Sequence, residues 1–225
     1  MDLNLRIQNW TRYHAGLILA GSILALLIDW TAALDVFAVV SFGAYFLLFQ
    51  DVWKPKGLLG GPANQVTAFR LLGLLTVLFL HPYLPDWGIA IGAILVLALD
   101  GLDGYLARKY QLSSRFGGIF DMETDAFFVM GMSLLLFQKE LAPAWVLLLG
   151  WIKYGYELLL IVFPPKRVEK GTMLGKIIAV VLMISLIAPL LLPAGISQFM
   201  LMTSAILLLY SFGRSFYETV IRSER

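Results

Sequence analysis

The sequence predicts an all-α polytopic membrane protein. Three observations carry that reading. First, 60% of the 225 residues are hydrophobic and 14% are charged, against about 25% charged in soluble domains. Second, long apolar runs recur along the chain, as expected for helices that cross about 30 Å of hydrocarbon. Third, when the runs are taken as eight helices, 15 of the 17 basic residues fall in or beside the loops of one surface. That asymmetry places the basic surface in the cytoplasm. A net charge of +2 is too small to point to nucleic acid, and the absence of cysteine excludes disulfides and thiolate metal sites. The first apolar run lacks a small-residue cleavage site and is read as a retained helix, not a signal peptide.

Residues 10–29 and 33–49 are the first two apolar runs, broken around Asp29 and Trp30. Each is on the short side for a span. They are read as a pair of membrane helices, with a re-entrant hairpin as the alternative, and no chemistry is visible in them. Residues 50–63 are rich in Gly and Pro and form the best internal boundary. They separate an N-terminal unit, residues 1–61, from a larger unit, residues 62–225. The third run opens with Asn64-x2-Thr67-x2-Arg70 and continues to Leu80. Asn64 fits a helix start, and the spacing of three puts the polar side chains on one face. An N-cap followed by a snorkelling arginine would explain the pattern without a site. The segment from His81 to Trp87 is a turn with aromatics at belt positions. His81 and His14 are lone histidines and are not read as ligands.

The fourth run has thirteen uncharged residues from Trp87 to Leu99. Thirteen cannot span alone, so the helix must continue through Asp100 to Arg108, roughly 33 Å at 1.5 Å per residue. A short polar connection leads to the fifth helix, which carries Gly117, Asp121 and Asp125 and runs to Phe137. The sixth, residues 144–163, holds Lys153 and Glu157 four apart. That spacing suits an ion pair that packs helices, or the polar lining of a pocket. After a basic loop, Gly175 and Lys176 open the seventh helix, and residues 197–216 form the eighth.

Asp100, Asp103, Asp121 and Asp125 interrupt this apolar chain within 26 residues. Carboxylates at membrane depth are costly and usually functional. At about 100° per residue, positions 100, 103, 104, 107 and 108 share an arc of roughly 140°. Gly117, Asp121 and Asp125 form a second stripe. Two helices facing each other along these stripes would hold four carboxylates around one point. Their mutual repulsion calls for a divalent cation, and all-oxygen ligation favours Mg²⁺, Mn²⁺ or Ca²⁺. Gly104 and Ala107 leave room for a ligand to approach the backbone, and Arg108 offers a fork suited to phosphate. Glu123 lies two residues from each of two acids, so on a helix it points elsewhere.

The stretch meets every fixed position of D-x2-D-G-x2-A-R-x8-G-x3-D-x3-D, and so resembles the signature of the CDP-alcohol phosphotransferase family. The hydrophobic pattern extends the likeness over residues 62–216. The resemblance implies a six-helix core, preceded here by two extra N-terminal transmembrane helices. It implies metal-dependent transfer of a phosphatidyl group from CDP-diacylglycerol to a polar alcohol, releasing CMP, in phospholipid biosynthesis. The alternative within the family is a CDP-choline or CDP-ethanolamine donor with diacylglycerol as acceptor. Carried over residue by residue, the resemblance implies that Asp100, Asp103 and Asp121 are the primary ligands of Mg²⁺ or Mn²⁺, as one or two ions. Asp125 would be the general base and a further ligand. Asn64, Thr67, Arg70, Gly104, Ala107, Arg108 and Lys176 would contact the nucleotide and its phosphates, and Gly117 would let two helices approach. The resemblance also implies a homodimer in the bilayer of a prokaryotic cell membrane, with the site facing the cytoplasm.

The acceptor is not encoded in the signature. Arg115, Lys166, Arg167 and Arg214 would suit a phosphorylated acceptor such as glycerol 3-phosphate, although topology explains them equally well. Phosphatidylglycerophosphate synthases typically read D-P-x-A-D-K around the last two acids. This chain reads Asp121, Met122, Glu123, Thr124, Asp125, Ala126, so assignment to that subfamily does not follow. Two non-enzymatic readings compete. A divalent-cation transporter would not need Gly104, Ala107 and Arg108, nor gather its acids at one interface. An inert membrane scaffold would be expected to lack a signature residue, and none is missing.

Overall fold

The structure is a computed structural model that describes residues 2–109, 114–164 and 172–221, without the side chains of 102–108. Its long helices are α1 (Leu3–Leu27), α2 (Ala32–Leu48), α3 (Pro62–Leu80), α4 (Asp86–Lys109), α5 (Arg115–Gln138), α6 (Leu147–Val162), α7 (Met173–Ile187) and α8 (Ala194–Phe216). Among the described residues there is no strand. The chain is an all-α polytopic membrane protein. Among the described residues, four helical segments are long and apolar enough to cross a bilayer: Pro62–Tyr83, Ala144–Val162, Met173–Leu190 and Ala194–Ile221. A fifth arises if α2 and the segment Gln50–Lys56 count as one span across a 60° bend. α1, α4 and α5 match these in length, with 25, 24 and 24 residues. They differ in carrying polar and charged side chains along the span.

Several boundaries differ from the sequence reading. α1 begins at Leu3, not near residue 10, because Asp2 caps it by accepting the Asn4 N–H at 3.4 Å. The polar residues that follow are therefore helical. Arg6 reaches the far end of α2, bonding Asp51 at 2.7 and 2.8 Å and the Leu48 carbonyl. The expected linker is mostly helical, with one turn at Gln50–Trp53 and 3₁₀ turns at Lys54–Lys56 and Leu58–Gly60. α3 starts at Pro62, two residues before Asn64. Proline in the first helical turn sacrifices no hydrogen bond. Gly60 and Gly61, with φ of 85° and 114°, supply the left-handed backbone that turns the chain into α3. α4 runs unbroken through Asp100, as expected.

Contacts between helix ends set the direction of the bundle. Arg6 joins the start of α1 to the end of α2. The Tyr45 hydroxyl joins the end of α2 to the start of α5, donating to the Phe116 carbonyl at 2.8 Å. At the opposite end, Thr31 at the start of α2 donates to the Leu78 carbonyl of α3. Gln138 at the end of α5 donates to the Ala25 carbonyl of α1 at 3.0 Å, and Lys139 pairs with Asp86 of α4 at 3.0 Å. Consecutive helices from α1 to α5 thus alternate in direction. One end of the bundle gathers the start of α3, the end of α4 and the start of α5.

Close helix crossings depend on missing side chains. A Cβ at Gly150 of α6 would lie 2.8 Å from the Met130 Cα, a backbone atom of α5, whereas a Cβ at Gly43 of α2 would meet nothing within 4 Å. Gly150→Ala should therefore cost about 1–3 kcal/mol through overpacking. Gly43→Ala should stay within about 1 kcal/mol of the parent. Thermal midpoints of the two variants in one detergent check this; equal midpoints would contradict the packing.

Candidate metal centre

α3 turns its polar opening inward. Asn64, Thr67 and Arg70 are all buried and form one stripe with Leu71, Leu74, Val77 and Leu78. Asn64 donates to the Leu59 carbonyl at 2.8 Å. Its amide lies between two glycines: a Cβ at Gly60 would stand 2.8 Å from Nδ2, and one at Gly117 would stand 2.5 Å from Oδ1. Gly117 is therefore where the start of α5 closes against the start of α3. Thr67 donates to the Ala63 carbonyl at 3.2 Å, one turn back.

Arg70 is 2% exposed, yet its guanidinium meets three carboxylates. One terminal nitrogen lies 2.7 Å from Asp121 Oδ1. The other lies 2.7 Å from Asp100 Oδ1 and 2.5 Å from Asp125 Oδ1. Asp100 comes from α4, and Asp121 and Asp125 come from successive turns of α5. The three acids are 28–40% exposed, so they line an opening rather than a sealed core. Asp100, Asp121 and Asp125 each offer an oxygen, all within 4.8 Å of one another. This donor set fits a hard divalent cation, because it consists of carboxylate oxygens from two helices, converging and reachable from outside.

α5 carries two distinct faces. Gly117, Asp121 and Asp125 look toward α3 and α4. Phe116, Phe120 and Phe127 lie roughly 130° around the helix at about 100° per residue, all buried against α2. Glu123 belongs to this second face. It is fully buried and ion-paired with Lys153 of α6, while its other oxygen lies 3.6 Å from His14 Nε2 of α1. Lys153 also stands 3.6 Å from Glu157, the partner that spacing alone favoured. Sequence spacing finds pairs within a helix, but this stronger pair joins two helices. Among the described residues, neither His14 nor His81 joins the group of Asp100, Asp121 and Asp125; His81 sits in the turn at the far end, near Thr31.

The side chains of Asp103, Gly104, Ala107 and Arg108 lie outside the described residues, although α4 includes their backbone. Lys176 is exposed on the first turn of α7. There it lines a shallow groove of about 250 Å³ with Ile177, Val180 and Val181. Thr172 caps that helix, accepting the Gly175 N–H at 3.1 Å.

A bundle that collects carboxylates from two adjacent helices against a third, at one end of a membrane protein, defines a class. The profile of the CDP-alcohol phosphatidyltransferase family matches residues 62–210, and the chain belongs to that family. Among its relatives is the CDP-diacylglycerol–glycerol-3-phosphate 3-phosphatidyltransferase of Bacillus subtilis (strain 168), 33% identical over 102 residues, covering 38% of this chain and 52% of the relative. The Pseudomonas fluorescens protein of the same name is 33% identical over 99 residues, covering 42% and 50%. The chain thus spans about half the length of the curated relatives it matches. No solved structure matches it.

Arg70→Met would leave three like charges within 4.8 Å of one another. In the presence of a chelator the variant should lose about 2 kcal/mol of stability, less than the loss from breaking a fully buried pair because the acids are partly exposed. Millimolar Mg²⁺ should restore part of that loss. Thermal unfolding with and without Mg²⁺ checks this; a variant insensitive to Mg²⁺ would contradict the shared site.

Proposed function

We propose that the protein transfers a phosphatidyl group from CDP-diacylglycerol to a polar alcohol and releases CMP, using a divalent cation held by Asp100, Asp121 and Asp125. The observation that carries this reading is the convergence of those three carboxylates from α4 and α5. Family membership and the names of the two relatives support it. Asp103, one turn along α4 from Asp100, is assigned to the same ligand set. Mg²⁺ or Mn²⁺, as one or two ions, suits all-oxygen ligation. When bound, the cation neutralises charge on the pyrophosphate and on the leaving CMP.

The remaining steps belong to side chains of this chain. The acceptor oxygen bonds to the phosphorus that bears diacylglycerol, and the bond from that phosphorus to the CMP oxygen breaks. Asp125 takes the proton of the attacking hydroxyl. Arg70, bonded to Asp121 and Asp125, keeps both carboxylates turned to the same side and offers a cation near the phosphates. Asn64, Thr67, Gly104, Ala107, Arg108 and Lys176 are assigned to the nucleotide and its phosphates, and Gly117 to the closure of α5 on α3. The asymmetry of basic residues supports a cytoplasmic position for this end of the bundle, where nucleotide-activated substrates occur.

Both relatives are named for glycerol 3-phosphate. A phosphorylated polyol of that kind is the acceptor we propose, with Arg115 and Arg214 as candidate cations for its phosphate. Glu123 does not enter that pocket, because Lys153 holds it on the opposite face of α5.

Asp125→Asn should reduce transfer by about 10²- to 10⁴-fold while leaving the thermal midpoint near that of the parent. Full activity in this variant would remove the base assignment. Chelation should stop transfer, and Mg²⁺ or Mn²⁺ should restore it; turnover that persists in EDTA would overturn the metal scheme.

A further inference from the structure

The first two helices lie outside the matched domain, yet they follow α5 along its length. At its first turn, the Tyr45 hydroxyl of α2 donates to the Phe116 carbonyl at 2.8 Å. The two rings stack with centroids 4.6 Å apart and planes 5° from parallel. Phe116 immediately precedes Gly117, where an added Cβ would lie 2.5 Å from Asn64 Oδ1. At mid-helix, His14 of α1 accepts or donates at 2.7 Å with Ser41 of α2, and its other ring nitrogen faces Glu123 at 3.6 Å. Glu123 lies midway between Asp121 and Asp125 and is held from a third direction by Lys153. At the last turn, Gln138 donates to the Ala25 carbonyl of α1.

These contacts constrain two quantities. Tyr45 fixes how far α5 extends toward the site end, and Glu123 fixes the rotation of α5 about its axis. A rotation of one residue's pitch, about 100°, would carry Asp121 and Asp125 away from Arg70 and Asp100. The aromatic layer alone would tolerate sliding, because apolar contacts are non-directional. The hydroxyl and the buried ion pair would not.

We infer that the N-terminal helix pair is a positioning element for the acid-bearing helix α5, acting through the Tyr45 hydroxyl and ring on its first turn and through the packing of His14 beside Glu123 at its middle, where Lys153 of α6 supplies the ion pair. Tyr45 and Glu123 are positioning residues that act through Asp121 and Asp125. This inference rests on the assignment of those acids to a divalent cation.

The test uses full-length protein in detergent and two variants. Tyr45→Phe keeps the ring stack and removes only the hydroxyl. The double variant Glu123→Met with Lys153→Met removes both charges of the buried pair together and leaves the partly exposed Glu157 without its 3.6 Å partner; it reads the hold of α6 on α5, and Tyr45→Phe reads the hold of the N-terminal pair. Mn²⁺ affinity is read by the electron paramagnetic resonance of free Mn²⁺, alongside the transfer rate and the thermal midpoint. Each variant should weaken Mn²⁺ binding about tenfold, as loss of groups that orient ligands does, and should lower kcat with it while still unfolding cooperatively. A lower midpoint with Mn²⁺ affinity and kcat unchanged would reduce both contacts to ordinary packing and overturn the inference. If the double variant fails to fold, Tyr45→Phe alone decides. Absence of Mn²⁺ binding and transfer in the parent protein would instead remove the functional reading, which separates the two failures.

Discussion

One guanidinium bonded to three carboxylates is the interaction on which the rest of the bundle depends. Charges in an apolar assembly are expensive unless paired and hydrogen-bonded. Arg70 can satisfy Asp100, Asp121 and Asp125 together only if α3, α4 and α5 meet at one level. That meeting demands close helix crossings. A Cβ at Gly92 of α4 would lie 2.6 Å from Val77, and one at Gly117 of α5 would lie 2.5 Å from Asn64. Glycines at these helix crossings are therefore a geometric condition for gathering the charges.

The second constraint is that α5 must be held from behind. Its acid face is held by Arg70 and borders an opening. Its other face is packed by Phe116, Phe120 and Phe127 against α2 and pinned by Glu123 to Lys153. Packing on one face of α5 thus keeps Asp121 and Asp125 in place on the other. The lipid-facing helices α6, α7 and α8 place apolar side chains such as Ile161, Val180 and Ile206 outward.

Much of this was legible in the sequence. The spacing of Asp100, Asp103, Asp121 and Asp125 pointed to carboxylates meeting between two helices, and Asp100, Asp121 and Asp125 do meet among the described side chains; Asn64, Thr67 and Arg70 share one face as their period of three required, and that face is buried. Reading α4 through Asp100 followed from length alone, and Glu123 points away from the acids as its two-residue offset demands. The misses have physical causes. The start of α1 was hidden because residues 4–12 mix polar with apolar side chains and form no apolar run; a one-residue cap at Asp2 begins the helix. Asn64 resembled a helix cap, but Pro62 after two glycines in left-handed conformations starts α3 earlier. The principal partner of Lys153 is Glu123, thirty positions away, which no local spacing can reveal. The N-terminal pair showed no chemistry in isolation because its polar groups, His14 and Tyr45, act on another helix. The overlooked signal was the spacing of Phe116, Phe120 and Phe127, an aromatic stripe on the side of α5 opposite its acids.

The central claim, that these carboxylates support phosphatidyl transfer, is tested most directly by incubating the purified protein with CDP-diacylglycerol, Mg²⁺ and a panel of alcohols, with CMP release and product lipid mass measured together. The expected result is CMP formed in step with a lipid whose mass equals that of the phosphatidyl group joined to one alcohol, glycerol 3-phosphate foremost. CMP released without such a lipid, or formed only from CDP-choline or CDP-ethanolamine with diacylglycerol, would contradict it.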